Sequence, residues 1–321
     1  MLFAYRPDAA GKLERLGPQD GIADALWVDL YRPLPGQVAQ VAAFGVEVPT
    51  LAEMEEIEIS NRLYRENGVD YMTVVLPGLS ETKAAMAGPV TFIRSQTRLI
   101  TVRHHVPRPF ETYPDRADKV GPGCATPDQV FLGLIEEVVG RLADLLEGSG
   151  KTLDEVSRSI FTASPGPRRP EQLQATLERV GREGDLLGRV RLALLTIERA
   201  VSFFGQTIAE RPGSEALRPV IKGLMRDVQA LAVHGDFISS RVALVTDATL
   251  GMINLSQNQT IKIVSVVAVV FLPPTVIASA YGMNFKLMPE LEWVHGYPMA
   301  IGLMLASAVG TYLFFKWRNW L

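Results

Sequence analysis

Two uncharged runs stand close together in the last fifth of this chain of 321 residues. Residues 263–280 read IVSVVAVVFLPPTVIASA, residues 297–315 read YPMAIGLMLASAVGTYLFF, and neither holds an Asp, Glu, Lys or Arg. Each just reaches the roughly 18 to 20 residues that a helix needs to cross a hydrocarbon core. Their tandem arrangement predicts a hairpin of membrane spans rather than a buried hairpin in a water-soluble core. The flanks orient it. Lys316 and Arg318 follow the second run beside Trp317 and Trp320, whereas the connector sets Lys286 against Glu290 and Glu292. Positive charge marks the inner side, so both termini are expected in the cytoplasm, with only the 281–296 loop facing out.

The first run has an uneven circumference. Steps of three and four place Asn258, Ile261, Ser265, Ala268, Leu272, Thr275 and Ser279 on one face, which is smaller and more polar than the one carrying Val267, Val270 and Phe271. Small residues suit close helix–helix packing. They also suit a pore wall, which two spans cannot enclose unless several copies assemble. Pro273 and Pro274 inside the run point the same way, because the carbonyls they free are tolerated when neighbouring helices adjust around them.

Upstream, residues 1–125 alternate strand-like and helical stretches and predict a cytoplasmic α/β domain. ALWVDLY, VDYMTVVLPG and GPVTFIRSQTRLITVRHHV read as strands, the last a hairpin turning at SQTR, and LAEMEEIEISNRLYREN reads as a helix. At 126–260 the texture becomes helical. TPDQ offers Thr126 as an N-cap, Pro127 at the first helical position and Gln129 completing a capping box. SPGPRRP breaks the pattern before a second long helix begins at EQLQATLERV. From about Pro219 the residues Ile221, Leu224, Val228, Leu231, Gly235, Ile238, Val242 and Val245 form a coiled-coil-like seam. No strong breaker follows, so one helix is expected from about 219 to 280, roughly 90 Å of stalk and span, with Gly235 and Gly251 as its weak points. The spans and their loop make a third region, 261–321.

Composition excludes several classes. A formal net charge of −3 argues against a chain built to hold nucleic-acid phosphates. The only cysteine, Cys124, leaves neither an internal disulfide nor a thiolate zinc site. The opening MLFAYRPDAAGKLERLG lacks the apolar core of a secretory signal. GSGKT at 148–152 resembles the end of a phosphate-binding loop, yet Leu145 stands where the motif needs its first glycine and no strand precedes it, so no nucleotide is expected. His104 and His105, adjacent on an expected strand, point to opposite faces and cannot readily share a metal. EMEEIE at 53–58 reads as a solvated helix face. No catalytic constellation appears, and no enzyme is expected.

With this layout in place, YGMNF…MPEL at 281–291 resembles the CorA family of magnesium transport proteins, whose signature is Gly282-Met283-Asn284. The stretch MINLSQNQTIKIVSVVAVVFLPPTVIASAYGMNFKLMPELEWVHGYP and the ending FFKWRNWL look like bacterial CorA proteins almost throughout. LWVDLYRP and LAEMEEIEISNRLYREN carry a weaker likeness. The resemblance implies a homopentameric, funnel-shaped channel in the bacterial inner membrane, its first spans lining the pore and its second spans outside. It implies passive, potential-driven uptake of Mg2+, with Co2+ and Ni2+ as further substrates, and no prosthetic group. Gly282, Met283 and Asn284 would form the filter. Asn258, Ile261, Val264, Leu272 and Thr275 would line the pore, together with Ser265, Ala268 and Ser279 on the same face. Glu290 and Glu292 would draw cations to the mouth, while Lys286 departs from the acid expected there. Intracellular Mg2+ would gate the channel, with Asp227 and Asp247 as the candidate regulatory ligands. The competing expectations are a zinc transporter of the related branch, and a membrane-anchored metal sensor that does not conduct.

Overall fold

The structure is a computed structural model describing residues 1–8, 11–17, 20–56, 58–162, 170–209, 211, 213–283, 288–289 and 292–318. It divides into two compact units: Met1–Ser159 with Glu178–Val245, and Ile160–Leu177 with Thr246–Leu321.

The first unit is built on a seven-stranded sheet of order β2-β1-β3-β7-β6-β5-β4. Its strands are β1 (Leu2–Pro7), β2 (Leu13–Arg15), β3 (Trp27–Tyr31), β4 (Leu63–Glu66), β5 (Val69–Leu79), β6 (Ala85–Arg94) and β7 (Leu99–Arg103). All neighbours are antiparallel except β3 and β7, where Trp27 pairs with Leu99 in parallel register. The central strands are covered on both faces, which is why they read as nearly continuous apolar runs rather than alternating ones. One face packs on α1 (Pro35–Ala42), α2 (Leu51–Glu55) and α3 (Ile59–Arg62), in a core that includes Val28, Leu30, Val41, Met54, Ile93 and Ile100. The other face carries α4 (Pro109–Thr112), α5 (Pro127–Phe161) and α6 (Pro170–Ala209). Aromatic contacts join its layers: Phe92 meets Phe131 edge-on at 5.3 Å, and Phe131 meets Phe204 of α6 at 4.6 Å. The Val75 amide donates to Thr196 Oγ1 at 3.0 Å, tying β5 to α6.

The capping box forms as expected, the Gln129 amide donating to Thr126 Oγ1 and the Thr126 amide to Gln129 Oε1. The helix α7 runs unbroken from Arg218 to Tyr281, so neither Gly235 nor Gly251 interrupts it. Its seam turns inward on the chain itself: Ile221, Leu224, Val228, Ile238 and Val245 are buried, and Gly235 lies close to Leu146 of α5 and Leu187 of α6. The sequence GSGKT lies inside α5, helical throughout.

Two expectations are corrected. The stretch LAEMEEIEISNRLYREN is not one helix. Its last residues form β4, because pairing with β5 stacks Tyr64 on Tyr71 at 4.6 Å and brings Arg65 Nε to Asp70 at 2.8 Å, contacts a helix cannot make. The first residues, where no particular element was expected, form β1 and β2 at the sheet's other end. His104 and His105 lie past the end of β7 rather than on it.

The second unit contains the ends of α5 and α6 nearest their connection, the C-terminal part of α7, and α8 (Gly296–Trp317).

Candidate functional site

Among the described residues two helices are long and apolar enough to cross a membrane. One ends at Tyr281 and the other is α8, and the most apolar stretch of each is 6% buried. In α7 the sheltered positions of that stretch are Val266, Val270, Pro273, Pro274, Ile277 and Tyr281. They recur at three- and four-residue steps and so lie on one stripe. The sheltered positions of α8 also form one stripe, running through Gly296, Ala300, Met304, Ser307, Thr311 and Phe315. One sheltered stripe on each of the two helices of this unit is the surface suited to packing one span on the other, and the small residues on α8 permit close approach.

Ile261, Val264, Ser265, Ala268, Leu272, Thr275 and Ser279 are all exposed, as is Asn258 nearer the first unit. At about 100° per residue, the seven within the span centre about 180° around α7 from its sheltered stripe. The contrast is sharp two positions apart: Val266 is 4% exposed and Val264 is 63% exposed. Of the three bulky residues assigned to the opposite face, Val270 belongs to the sheltered stripe, whereas Val267 and Phe271 lie exposed on the flank. The bare face has no charged residue between Val264 and Ser279. On it, Thr275 Oγ1 donates its proton to the Phe271 carbonyl at 2.7 Å. Its remaining lone pairs point away from the backbone it bonds, so the hydroxyl acts as an acceptor.

The helix α7 ends at the glycine of the signature. The Gly282 amide donates to the Ala278 carbonyl at 3.0 Å, and the Met283 amide to Ala280 at 3.4 Å. A side chain at Gly282 would bring its Cβ to 3.2 Å from the Ala278 carbonyl oxygen, a contact glycine avoids. Met283 is half-exposed and Glu292 exposed. Asn284, Lys286 and Glu290 lie outside the described residues. Trp317, beyond the second span, is 79% exposed, and Lys316 beside it is exposed.

Asp227 and Asp247 are exposed on α7. They stand 20 positions apart (247 − 227), more than five helical turns, so they do not form one site within a chain. Among the described residues no cluster of three or more His, Cys, Asp or Glu side chains is placed to hold a metal ion. The sheltered stripe of α7 was not anticipated. Its signal was present in the two prolines, which share that stripe with Val266 and Val270.

Fold and site together define a protein with a large α/β domain and two candidate membrane spans, the first of which runs to the glycine of a Gly-Met-Asn sequence and bares its small-residue face. The family model described as CorA-like Mg2+ transporter protein matches residues 23–317, and the chain belongs to that family. The magnesium transport protein CorA of Salmonella typhimurium strain LT2 is 35% identical over 327 aligned positions, covering 100% of both chains. That of Yersinia pseudotuberculosis is 34% identical over 321 positions, covering 99% of each. The solved structure of the CorA magnesium transporter from Methanocaldococcus jannaschii superposes with a TM-score of 0.72 at 16% identity, covering 100% of this chain and 99% of that one, which establishes the shared fold. The family is one of transporters, not of enzymes.

Proposed function

We propose that this chain forms a homopentameric channel for passive Mg2+ uptake, with Co2+ and Ni2+ as further substrates, in the bacterial inner membrane with both termini in the cytoplasm. The observation that carries the reading is the position of the bare face of α7, turned directly away from the sheltered stripe of the same helix. Copies of α7 arranged with that face inward would enclose a pore and leave α8 at the lipid. The names of the relatives supply the ion.

The chemistry agrees. Mg2+ is small and sheds its water reluctantly, so a workable filter holds the hydrated ion through neutral oxygens rather than stripping it. Gly282 carbonyls and Asn284 side-chain oxygens would provide that ring, with Met283 between them. Waters bound to the cation donate hydrogen bonds, and the Thr275 hydroxyl, its proton already given to Phe271, accepts them. Glu290 and Glu292 would concentrate cations at the outer mouth. Nucleotide hydrolysis is unnecessary, because a divalent cation gains about 4.6 kcal/mol on entering a cell held 100 mV negative.

The test is Mg2+ uptake into proteoliposomes under an imposed negative-inside potential, read by an internal dye. Asn284→Ala should abolish uptake that the wild-type protein supports. Vesicles that admit Zn2+ but not Mg2+ would instead indicate a zinc transporter, and silence toward every divalent ion would indicate a sensor. Closure by intracellular Mg2+ is assigned to Asp227 and Asp247, acting in separate sites. Asp227→Ala should sustain uptake at millimolar internal Mg2+, and unchanged closure would remove that residue from the gate.

A further inference from the structure

On the α4–α6 side of the sheet lies a cavity of about 340 Å3 whose chemistry ion conduction does not use. The strands β5 and β6 run on past β7 as a hairpin, held there by the bridge between Leu79 and Val106. The overhang is shaped by one side chain. A Cβ at Gly78 would come within 2.7 Å of the His105 ring and of the Val106 carbonyl oxygen, and one at Gly88 within 2.9 Å of His105 Nδ1. The imidazole therefore occupies space that only these two glycines leave. Its Nε2 sits 2.9 Å from the Leu76 carbonyl oxygen, which fixes the ring as a wedge behind the cavity. Leu79 and Val106 wall the hairpin side, and Leu145 of α5 and Leu186 of α6 wall the other. Leu79 is 45% exposed, an apolar side chain facing unfilled space.

The rim is cationic: Arg108, Arg141 and Arg189 stand against the single carboxylate of Glu111. Arg189 is held by Asp185 at 2.5 Å. Arg141 has its nearest carboxylate, Asp144, only at 4.0 Å. The Arg108 guanidinium makes no ion pair or side-chain hydrogen bond among the described residues. An adjoining cavity of about 400 Å3 shares Arg108 and Arg141 but differs in kind. There Glu136, Glu137 and Asp144 stand against Arg108, Arg116 and Arg141, so the lining carries as many carboxylates as guanidinium groups, and Glu137 accepts from Arg116 at 2.9 Å and from Thr112 at 2.8 Å.

An apolar pocket with a few convergent polar groups is the usual form of a small-molecule site. A guanidinium fork matches phosphate and carboxylate oxygens alike. We propose that this cavity binds a water-soluble organic anion, a phosphate monoester or carboxylate on a compact apolar body. The anionic head lies at Arg108 and Arg141, and the body lies against the four apolar walls.

The experiment is calorimetric titration of the full-length protein in zwitterionic nanodiscs, with empty nanodiscs subtracted. The probes are 1-naphthyl phosphate, 1-naphthoate, uncharged 1-naphthol and inorganic phosphate. At least one naphthyl anion should bind saturably, with naphthol and inorganic phosphate at least about tenfold weaker, and the order of the two anions tells which head group is preferred. Arg141→Gln and Arg108→Gln should each weaken that binding about tenfold, the loss of one charge-assisted contact. Both side chains are at least partly exposed, so both variants should fold. Leu186→Glu should abolish binding, while Leu192→Glu, at an exposed position elsewhere on α6, should not. The proposal is overturned if naphthol matches the anions, if neither anion binds, or if both arginine variants keep full affinity.

Discussion

Within α7 the same three-and-four spacing has opposite outcomes in its two halves. In the upstream half, the stripe Ile221, Leu224, Val228, Ile238 and Val245 is at most 9% exposed, with Lys222, Arg226 and Asp227 between its members. In the downstream half, the apolar residues surround the whole circumference and the most apolar stretch is 6% buried. In water, apolar periodicity marks the side that packs, because burying it is what lowers the free energy. In lipid that drive is absent between helices, and packing is set by close fit and small residues. The informative pattern downstream is therefore polarity and size rather than hydrophobicity. The contrast extends to charge. The sheet domain buries Asp29, Asp70, Arg94 and Arg103, whereas the downstream stretch from 263 to 280 contains no charged residue at all.

Removing one buried charge from the sheet is expected to have the largest effect on stability. Arg103 donates from Nε and Nη2 to the Asp29 carboxylate, at 3.1 Å and 2.9 Å. Asp29 also accepts from Thr101 Oγ1 at 2.8 Å, and Thr101 in turn accepts from Trp27 Nε1 at 3.0 Å. Asp29→Ala strands the guanidinium inside the domain, which costs about 3–5 kcal/mol. Urea unfolding of the solubilised protein, followed by tryptophan fluorescence, measures it. A loss under about 1 kcal/mol would mean that Arg103 finds water, and that the sheet domain is less dry than its burial indicates.

Adding a charge to the span is the converse experiment, and here the face decides. Val266→Asp places a carboxylate on the sheltered stripe, at an insertion cost of about 2.5–3.5 kcal/mol with no partner to offset it. Ser265→Asp places the same group one position away on the bare face. Membrane-integrated yield and protease protection should collapse for the first and persist for the second. Equal loss in both would show that the bare face meets lipid or a tightly packed neighbour instead of water, and the pore reading of that face would fail.

What the sequence disclosed follows the same division. The long helices were legible because a 3.6-residue period sustained over α5, α6 and α7 outweighs any single residue, and the spans because length and lack of charge are local properties. The β6–β7 hairpin was legible from its turn. The strand β4 was not, because LYRE has no breaker before it and becomes a strand only through Tyr71 and Asp70, partners on the neighbouring strand. The sheltered stripe of α7 was hidden because Val266, Val270 and Ile277 are no more apolar than the exposed Val267 and Phe271 beside them, so hydrophobicity could not separate the two. The anion cavity was beyond reach altogether, since Leu79, Val106, Leu145 and Leu186 come from separate segments that only the fold brings together. Membership of the signature motif was plain in three letters, yet Asn284 and Glu290 lie outside the described residues and their roles rest on resemblance.

The smallest effect belongs to His105, and it vanishes near neutral pH. Burial within the β5–β6 overhang lowers its pKa from 6.5 to about 4, so the folded protein holds the ring neutral where the unfolded chain begins to take a proton. The unfolded state therefore binds more protons through that window, and stability falls as pH drops from about 6.5 toward 4. A shift of this size amounts to a loss on the order of 3 kcal/mol once the window has been crossed, and to almost nothing at pH 7.5. His104, lowered by its own burial, acts in the same sense. Asp70 acts in the opposite one, because burial raises its carboxyl and favours the protonated form. The wild-type slope is the net of these and of the other shifted groups, among them the Met1 amine, whose pKa burial lowers, so the difference between wild type and His105→Gln isolates the wedge. Glutamine keeps a donor within reach of the Leu76 carbonyl but cannot take up a proton. The variant should be slightly less stable than wild type at pH 7.5, owing to its poorer fit between Gly78 and Gly88, and should lose less stability on acidification to pH 5. If the two lines run parallel from pH 7.5 to pH 5, the ring is already charged or solvated in the folded protein. The overhang would then be open to water, and the sheet domain and the spans would differ less in how they exclude it than their burial implies.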